Sequence, residues 1–303
     1  LTVAGHRARC FGQDWLSDIE LEQFDPLSTS LGPDPIIVQR TTHLDPVEPL
    51  LHRVGRAEIG ASGFRFSWND EACFDMRGTN QIDWLAGPRW TGTLPASFYS
   101  SVAAMTLAMR GFMPLHVSSI IFGKHAWLVA GAAGAGKSTL VAELLAAGGR
   151  LLSDDLTILA PDADGDAPLD ALRGRPAMRL HPETARQIDS TRVADVPDDP
   201  RGKLLVWPKA RAADARWPIA GAFVMRGESL QTVSTVEAAA LFGNMIFRPK
   251  ILAKLAGHVD RRKLLLNLAQ RIPLYRFPQL AQFDEKAQQS RAEMVLSLVA
   301  RAT

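Results

Sequence analysis

The chain has 303 residues, of which 47% are hydrophobic and 22% charged, and 34 basic side chains stand against 32 acidic ones for a formal net charge of +2. That length allows roughly two domains with a sizeable core. The balanced charge gives no sign of a nucleic-acid binder. Cys10 and Cys73 form no Cys-x-x-Cys pair and stand apart from any His cluster, which excludes a zinc framework or a disulfide scaffold and fits a reducing cytoplasm. The N-terminal stretch lacks a continuous apolar run, and the most apolar segment, Val117 to Leu128, is broken by Lys124 and His125. It is too short to span a bilayer, so the expectation is a cytoplasmic protein with no membrane and no nucleic-acid partner.

In chain order, residues 1–53 read as irregular, punctuated by Pro26, Pro33, Pro35, Pro46 and Pro49. Residues 64–76 read as a hairpin. Phe64, Phe66 and Trp68 alternate with polar residues, Asn69-Asp70 supplies the turn, and Ala72, Phe74 and Met76 alternate again. After Pro95, the residues Phe98, Val102, Met105 and Met109 fall at helical steps, and Gly111 is a natural stop. From Leu115, two apolar runs split by Gly123-Lys124 read as adjacent strands, and the second feeds a glycine-rich loop.

That loop, "GAAGAGKS", spans Gly131, Ala132, Ala133, Gly134, Ala135, Gly136, Lys137 and Ser138, with Thr139 following. It matches G-x-x-x-x-G-K-[ST] in full. Glycines let successive backbone N–H groups point inward at an anion, and the helix that follows adds its N-terminal dipole. Lys137 then reaches the outer phosphates of a nucleotide and the Ser138 hydroxyl ligates Mg²⁺. The next helix buries Leu140, Val141, Leu144 and Leu145 and stops at Gly148-Gly149, and "RLLSDD" reads as the following strand. Strand, loop, helix and strand in that order predict an α/β nucleotide-binding core.

Asp154 and Asp155 end that last strand. In a parallel sheet the carboxyl ends of neighbouring strands share one edge, so the pair is expected beside the loop. One carboxylate then serves the metal and the other takes the proton of an attacking hydroxyl. His116 opens the strand expected to pair with the one entering the loop.

Further on, residues 161–176 read as a loop. Its "DADGDAPLD" run lacks the Gly and Glu positions of a calcium loop. "HPETARQI" reads as a helix start, 219–227 as a buried strand, 234–271 as mostly helical, "PLYRF" as a short strand and 284–301 as a terminal helix. The basic residues between Arg248 and Arg271 read as a solvated helix face.

The segment "LHVSSIIFGKHAWLVAGAAGAGKSTLVAELLAAGGRLLSDDL" resembles the catalytic core of the bacterial HPr kinase/phosphorylase family over residues 112–160. That family has a His at a strand start, a P-loop fifteen positions later, and an Asp-Asp pair. The resemblance implies a P-loop kinase core of the HPr kinase and phosphoenolpyruvate carboxykinase type, with ATP and Mg²⁺ as cofactors. It implies Asp154 as the base, with Asp155 and His116 as a polar pair near the γ-phosphate and metal. Lys137 and Ser138 keep their loop roles, and Ser138 with Asp155 are the metal residues. Ala133 stands where the family often has Ser, and the family's Glu-Ile-Arg-Gly segment is absent, "LRGRPAMRL" holding only an Arg-Gly. The chain also resembles shorter HPr-kinase-like proteins of peptide-modification pathways, some of which phosphorylate the C-terminal Ser or Thr of a lasso-peptide precursor.

The sequence therefore predicts an α/β fold with a β-rich N-terminal region over 1–95, suited to gripping an acceptor, a catalytic domain over 96–303, and a helical C-terminal part. The function expected is an ATP- and Mg²⁺-dependent Ser/Thr kinase of a peptide or small protein. A small-metabolite kinase and a P-loop ATPase or switch stand as alternatives, and a homo-oligomer is open.

Overall fold

A computed structural model describes residues 5–302 apart from 62, 133, 161–168, 197–200, 256–260 and 279–284. Ala133 and most of the acidic run from Asp162 therefore lie outside the described residues. The chain is mixed α/β and packs into two compact units, Leu1–Pro114 with Ile246–Asp260, and Leu115–Met245 with Arg261–Thr303.

The first unit is built on a nine-stranded sheet. Its strands are β1 (His6–Cys10), β2 (Gln13–Ser17), β3 (Asp25–Pro26), β4 (Ile36–Arg40), β5 (Leu50–Val54), β6 (Ala57–Gly60), β7 (Gly63–Trp68), β8 (Ala72–Arg77) and β9 (Gln81–Ala86), in the order β3-β1-β2-β4-β9-β8-β7-β6-β5. The predicted hairpin is β7–β8, with Phe66 opposite Phe74 and Phe64 opposite Met76. Asn69 and Asp70, the central residues of a turn closed by the Glu71 N–H donating to Trp68 O at 2.8 Å, both have positive φ, 45° and 60°, as a turn matching the strand twist favours.

The stretch read as irregular up to residue 53 holds the strands β1 to β4 and most of β5, separated by turns and irregular segments. The prolines fall between or at the ends of the strands, and within them Ala8 and Cys10, then Trp15 and Ser17, alternate inward. Five-residue strands hold too few periods for that alternation to stand out in the sequence. The predicted helix follows as a π-helical turn over Phe98–Val102 running into α1 (Ala103–Met109). Its aromatic residues join a buried cluster: Trp15 and Phe24 lie 4.9 Å apart, Phe24 and Tyr99 5.4 Å, and Phe74 and Phe98 5.5 Å. α5 (Pro249–Leu252) belongs to this unit as well.

β10 (Met113–Leu115) runs across the border of the two units. The second unit then has β11 (Ser118–Phe122), β12 (His125–Ala130), α2 (Lys137–Ala146), β13 (Arg150–Ser153), β14 (Thr157–Leu159), β15 (Asp170–Leu172) and β16 (Met178–Leu180). α3 (Pro182–Ala185), β17 (Ser190–Asp195), β18 (Leu204–Pro208), β19 (Arg216–Met225), β20 (Gln231–Thr232) and α4 (Thr235–Asn244) follow, and the chain ends with α6 (Arg261–Arg271), β21 (Leu274–Phe277) and α7 (Glu285–Ala302). The central sheet contains the order β14-β15-β19-β12-β11-β13, with β21 beside β19, and β16-β18-β17 form a small separate sheet. The strands foreseen at 219–227 and in "PLYRF" are β19 and β21, and the terminal helix is α7. The "HPETARQI" helix is a single turn, and part of the loop foreseen over 161–176 is the strand β15.

β11 and β12 form an antiparallel hairpin through Gly123-Lys124, with Ser118 opposite Val129. β13 does not neighbour β12, as a simple parallel reading requires. β11 lies between them, antiparallel to both. Two reversals leave β12 and β13 pointing the same way, so the ends of both strands and the start of β11 meet at one sheet edge. α2 and α7 pack against each other, and the core under them includes Trp127, Leu140, Val141, Leu144, Phe223, Phe277 and Val295.

Candidate functional site

The edge where β12 and β13 end gathers the chemistry. Residues 131–136 connect β12 to α2, and Gly136, at φ 88°, turns the chain into the helix. A side chain at Gly131 would put its Cβ 2.8 Å from Met225 Cβ and 3.1 Å from Ala135 Cβ, so the loop leaves the sheet only because this residue has none. At Gly134 a Cβ would meet nothing within 4 Å, and the bend there is open. Lys137, the first residue of α2, is buried, and its Nζ donates to the carbonyl of Gly131 at 2.9 Å and approaches that of Ala132 at 3.5 Å. The ammonium thus sits folded back against its own loop. Ser138 and Thr139 follow on the first turn of α2, both half-buried.

Asp154 and Asp155 stand just past the end of β13 in two different environments. Asp154 is 1% exposed. Its Oδ1 accepts from the Ser118 hydroxyl at 2.8 Å, and its Oδ2 accepts from the Arg179 backbone N–H at 3.0 Å. Burial, with the neighbouring charge of Asp155, pushes its carboxyl above the ordinary value.

Asp155 adopts a positive φ of 64°, an uncommon conformation that Asp tolerates better than most residues. The turn swings its side chain out, and the carboxylate is 47% exposed. Its Oδ1 meets His116 Nε2 at 2.9 Å, and its backbone N–H donates to Ser118 Oγ at 3.3 Å. Desolvation works against the charge, but the hydrogen bond and charge of His116, then the charges of Arg175 and Lys137, outweigh it and hold the carboxyl well below the usual range. Asp155 is therefore ionised, and among the described residues its Oδ2 makes no hydrogen bond.

Ser118 ties the two aspartates together by donating to one and accepting from the backbone of the other. Thr157 extends the polar seam, its hydroxyl bonding Val117 O and Ser119 Oγ, both at 3.0 Å. His116 is positioned from the other side by its backbone N–H, which donates to Met245 O at 2.6 Å.

The structure thus brings His116, Lys137, Asp154 and Asp155 to one edge. It adds two residues that sequence reasoning missed. Arg175 is buried and donates through Nη2 to the Asp154 carbonyl at 3.2 Å. Ser118 is wholly buried between the aspartates. Arg175 lies in the same "LRGRPAMRL" stretch that was read only for its Arg-Gly.

No self-contained metal cage is present: among the described residues, no three His, Cys, Asp or Glu side chains converge on one point. No described helix is long and apolar enough to cross a membrane. No protein-family model matches the chain, and no curated protein does. Among solved structures, the Hpr(Ser) kinase/phosphatase from Coxiella burnetii matches with a TM-score of 0.32 and 13% identity, over 62% of this chain and 97% of that one.

Proposed function

We propose that the chain is an ATP- and Mg²⁺-dependent phosphotransferase whose acceptor is a Ser or Thr hydroxyl on a peptide or small protein. The observation that carries this is the meeting, at one sheet edge, of an ionised carboxylate and a glycine-rich loop, where, among the described residues, one carboxylate oxygen is unengaged and the buried ammonium is bonded to loop carbonyls alone. A buried cation at a helix N-terminus is a poor arrangement without an anion, so the residues present fit a polyphosphate.

ATP, bound with Mg²⁺, supplies the transferable phosphoryl group, and the metal neutralises its charge. The backbone N–H groups of the described loop residues, 131–132 and 134–136, and the first turn of α2 would receive the phosphates. With a nucleotide bound, Lys137 Nζ would exchange the Gly131 carbonyl for a phosphate oxygen. Ser138 would hold the metal beside the phosphates, which fits the habit of Mg²⁺ to take one or two protein oxygens, and Asp155, the second metal residue that the resemblance implies, keeps its Oδ2 for the proton.

The family resemblance implies Asp154 as the proton acceptor. We place that role instead on Asp155, because both oxygens of Asp154 are engaged inside the fold while Asp155 Oδ2 is reachable. Geometry precedes pKa in choosing a base, and phosphoryl transfer asks the base only to accept the proton as the new bond forms. His116 orients the carboxylate, and Asp154 with Ser118 braces the turn. The resemblance in residues 112–160 favours a peptide acceptor, and the C-terminal Ser or Thr of a lasso-peptide precursor is its sharpest form.

The test is incubation with γ-labelled ATP, Mg²⁺ and synthetic peptides ending in Ser, Thr or Ala. Label in the Ser or Thr peptides, absent from the Ala peptide and lost in Asp155→Asn, is the expected result. Label only in free phosphate, unaffected by peptide, would replace the kinase with an ATPase.

A further inference from the structure

We infer that Arg291, 154 residues downstream of Lys137 on α7, is a second cation of the phosphate site and contacts the polyphosphate of the bound nucleotide. The inference rests on the nucleotide-binding reading above and extends it to a part of the chain that no loop motif reaches.

Arg291 is 2% exposed. Its Nη2 donates to Glu143 Oε1 at 2.5 Å, a residue on α2 one and a half turns beyond Lys137. Its Nη1 comes within 4.0 Å of where a side chain on Gly136 would begin, so the guanidinium lies along the first turn of α2 and reaches back to the loop. A guanidinium has five N–H donors, and one of those of Arg291 goes to Glu143. Among the described residues its buried Nε has no hydrogen-bond partner.

Two features make this arrangement costly without a ligand. The cation faces the N-terminal half of a helix, where the backbone dipole is also positive and favours anions. Its counter-ion is also weak: burial pushes the Glu143 carboxyl up to about 7 despite Arg291, and Glu143 Oε2 is buried without a partner. A phosphate oxygen at the loop would satisfy the spare donors of Arg291, and the planar fork of a guanidinium suits phosphate geometry. Glu143 then acts as the positioning residue that aims Arg291.

The test separates contact from scaffolding. Binding of Mg-ADP is measured by calorimetry for wild type, Arg291→Met and the double variant Glu143→Gln/Arg291→Met, with inorganic pyrophosphate as a competing probe and the unliganded melting temperature recorded for each. The single variant leaves Glu143 without a partner and is expected to melt lower. The double variant removes both charges and is expected to recover much of that stability. If Arg291 meets the polyphosphate, both variants bind ADP and pyrophosphate roughly 10- to 100-fold more weakly than wild type, the range of a lost charge-assisted contact. Recovery of affinity in the double variant, or wild-type affinity in Arg291→Met, would show a purely structural arginine and overturn the inference alone. Failure of wild type to bind ADP at all would remove the nucleotide reading with it.

Discussion

The two units bury charge in opposite ways. Among the described residues of the first unit, Asp75 is the buried charged side chain, and it is met by Arg65 at 3.0 Å and Arg77 at 3.1 Å. The rest of that interior is aromatic and aliphatic, organised around Trp15, Phe24, Phe74, Phe98 and Tyr99. The second unit buries Lys137, Asp154, Arg175 and Arg291. Each carries a desolvation cost that a hydrophobic replacement would avoid. The first unit is what a chain does when stability alone is served. The second accepts unfavourable burial around one loop, which is the pattern of a site tuned for a charged ligand.

The sharpest way to break that comparison is to remove charge where we place function. Asp155→Asn keeps the size of the side chain and the tolerance for positive φ, yet loses the ionised oxygen. Transfer to peptide is expected to fall about 10³-fold or more, while ADP affinity changes little. Asp154→Asn is expected to cost less activity and more stability, because it disturbs the Ser118 and Arg179 bonds inside the fold. If the two variants exchange these effects, the buried aspartate is the base after all.

The matching change in the first unit is Trp15→Ala. Trp15 is fully buried, and its indole N–H donates to Cys10 O at 3.2 Å. The loss is expected at about 4 kcal/mol, as for other large aromatic truncations, read from denaturant unfolding. ADP affinity measured below the transition should hold. A loss of binding comparable to that of Asp155→Asn's loss of transfer would mean that the first unit is not merely a packed body.

What the sequence made legible follows the same division. The β7–β8 hairpin and the loop from Gly131 to Ser138 are local patterns, each complete within a dozen residues. The placing of Asp154-Asp155 beside the loop also came through, though the path differs: β11 intervenes, and two reversals of direction restore the shared edge. Arg175 and Arg291 could not be read, because a single arginine has no period or spacing of its own. Only tertiary packing carries α7 back to α2. The strands β1, β2 and β4 were hidden for a different reason, being too short for alternation to outweigh the prolines around them.

A smaller effect separates the two interiors by pH. Because the folded Glu143 carboxyl is raised to about 7 from an ordinary 4.5, the folded state holds a proton that the unfolded state releases. Stability from this group is therefore full below about 4.5, falls as pH rises toward 7 and is level above about 8. The whole change is about 3 kcal/mol at most. Glu143→Gln should erase this slope, so the difference between the wild-type and variant unfolding free energies falls across that window. A difference that stays flat from pH 4 to pH 8 would mean Glu143 keeps its charge and Arg291 is fully neutralised. That would weaken the case for a phosphate partner.

The smallest expected effect uses two aspartates that share a backbone conformation. Asp70 in the β7–β8 turn has φ 60°, and Asp155 at the sheet edge has φ 64°. Glycine adopts that region without strain, and Asn-Gly is a favoured pair for a two-residue hairpin turn. Asp70→Gly therefore relieves local strain, partly offset by the greater freedom of glycine in the unfolded chain. A gain of less than about 1 kcal/mol with unchanged transfer is expected. Asp155→Gly relieves the same strain, so its melting temperature should not fall by much, but the carboxylate is gone and transfer should vanish. The conformation is a turn requirement at Asp70 and a means of presenting an oxygen at Asp155. Measurable transfer in Asp155→Gly would show that the second turn, like the first, serves only the path of the chain.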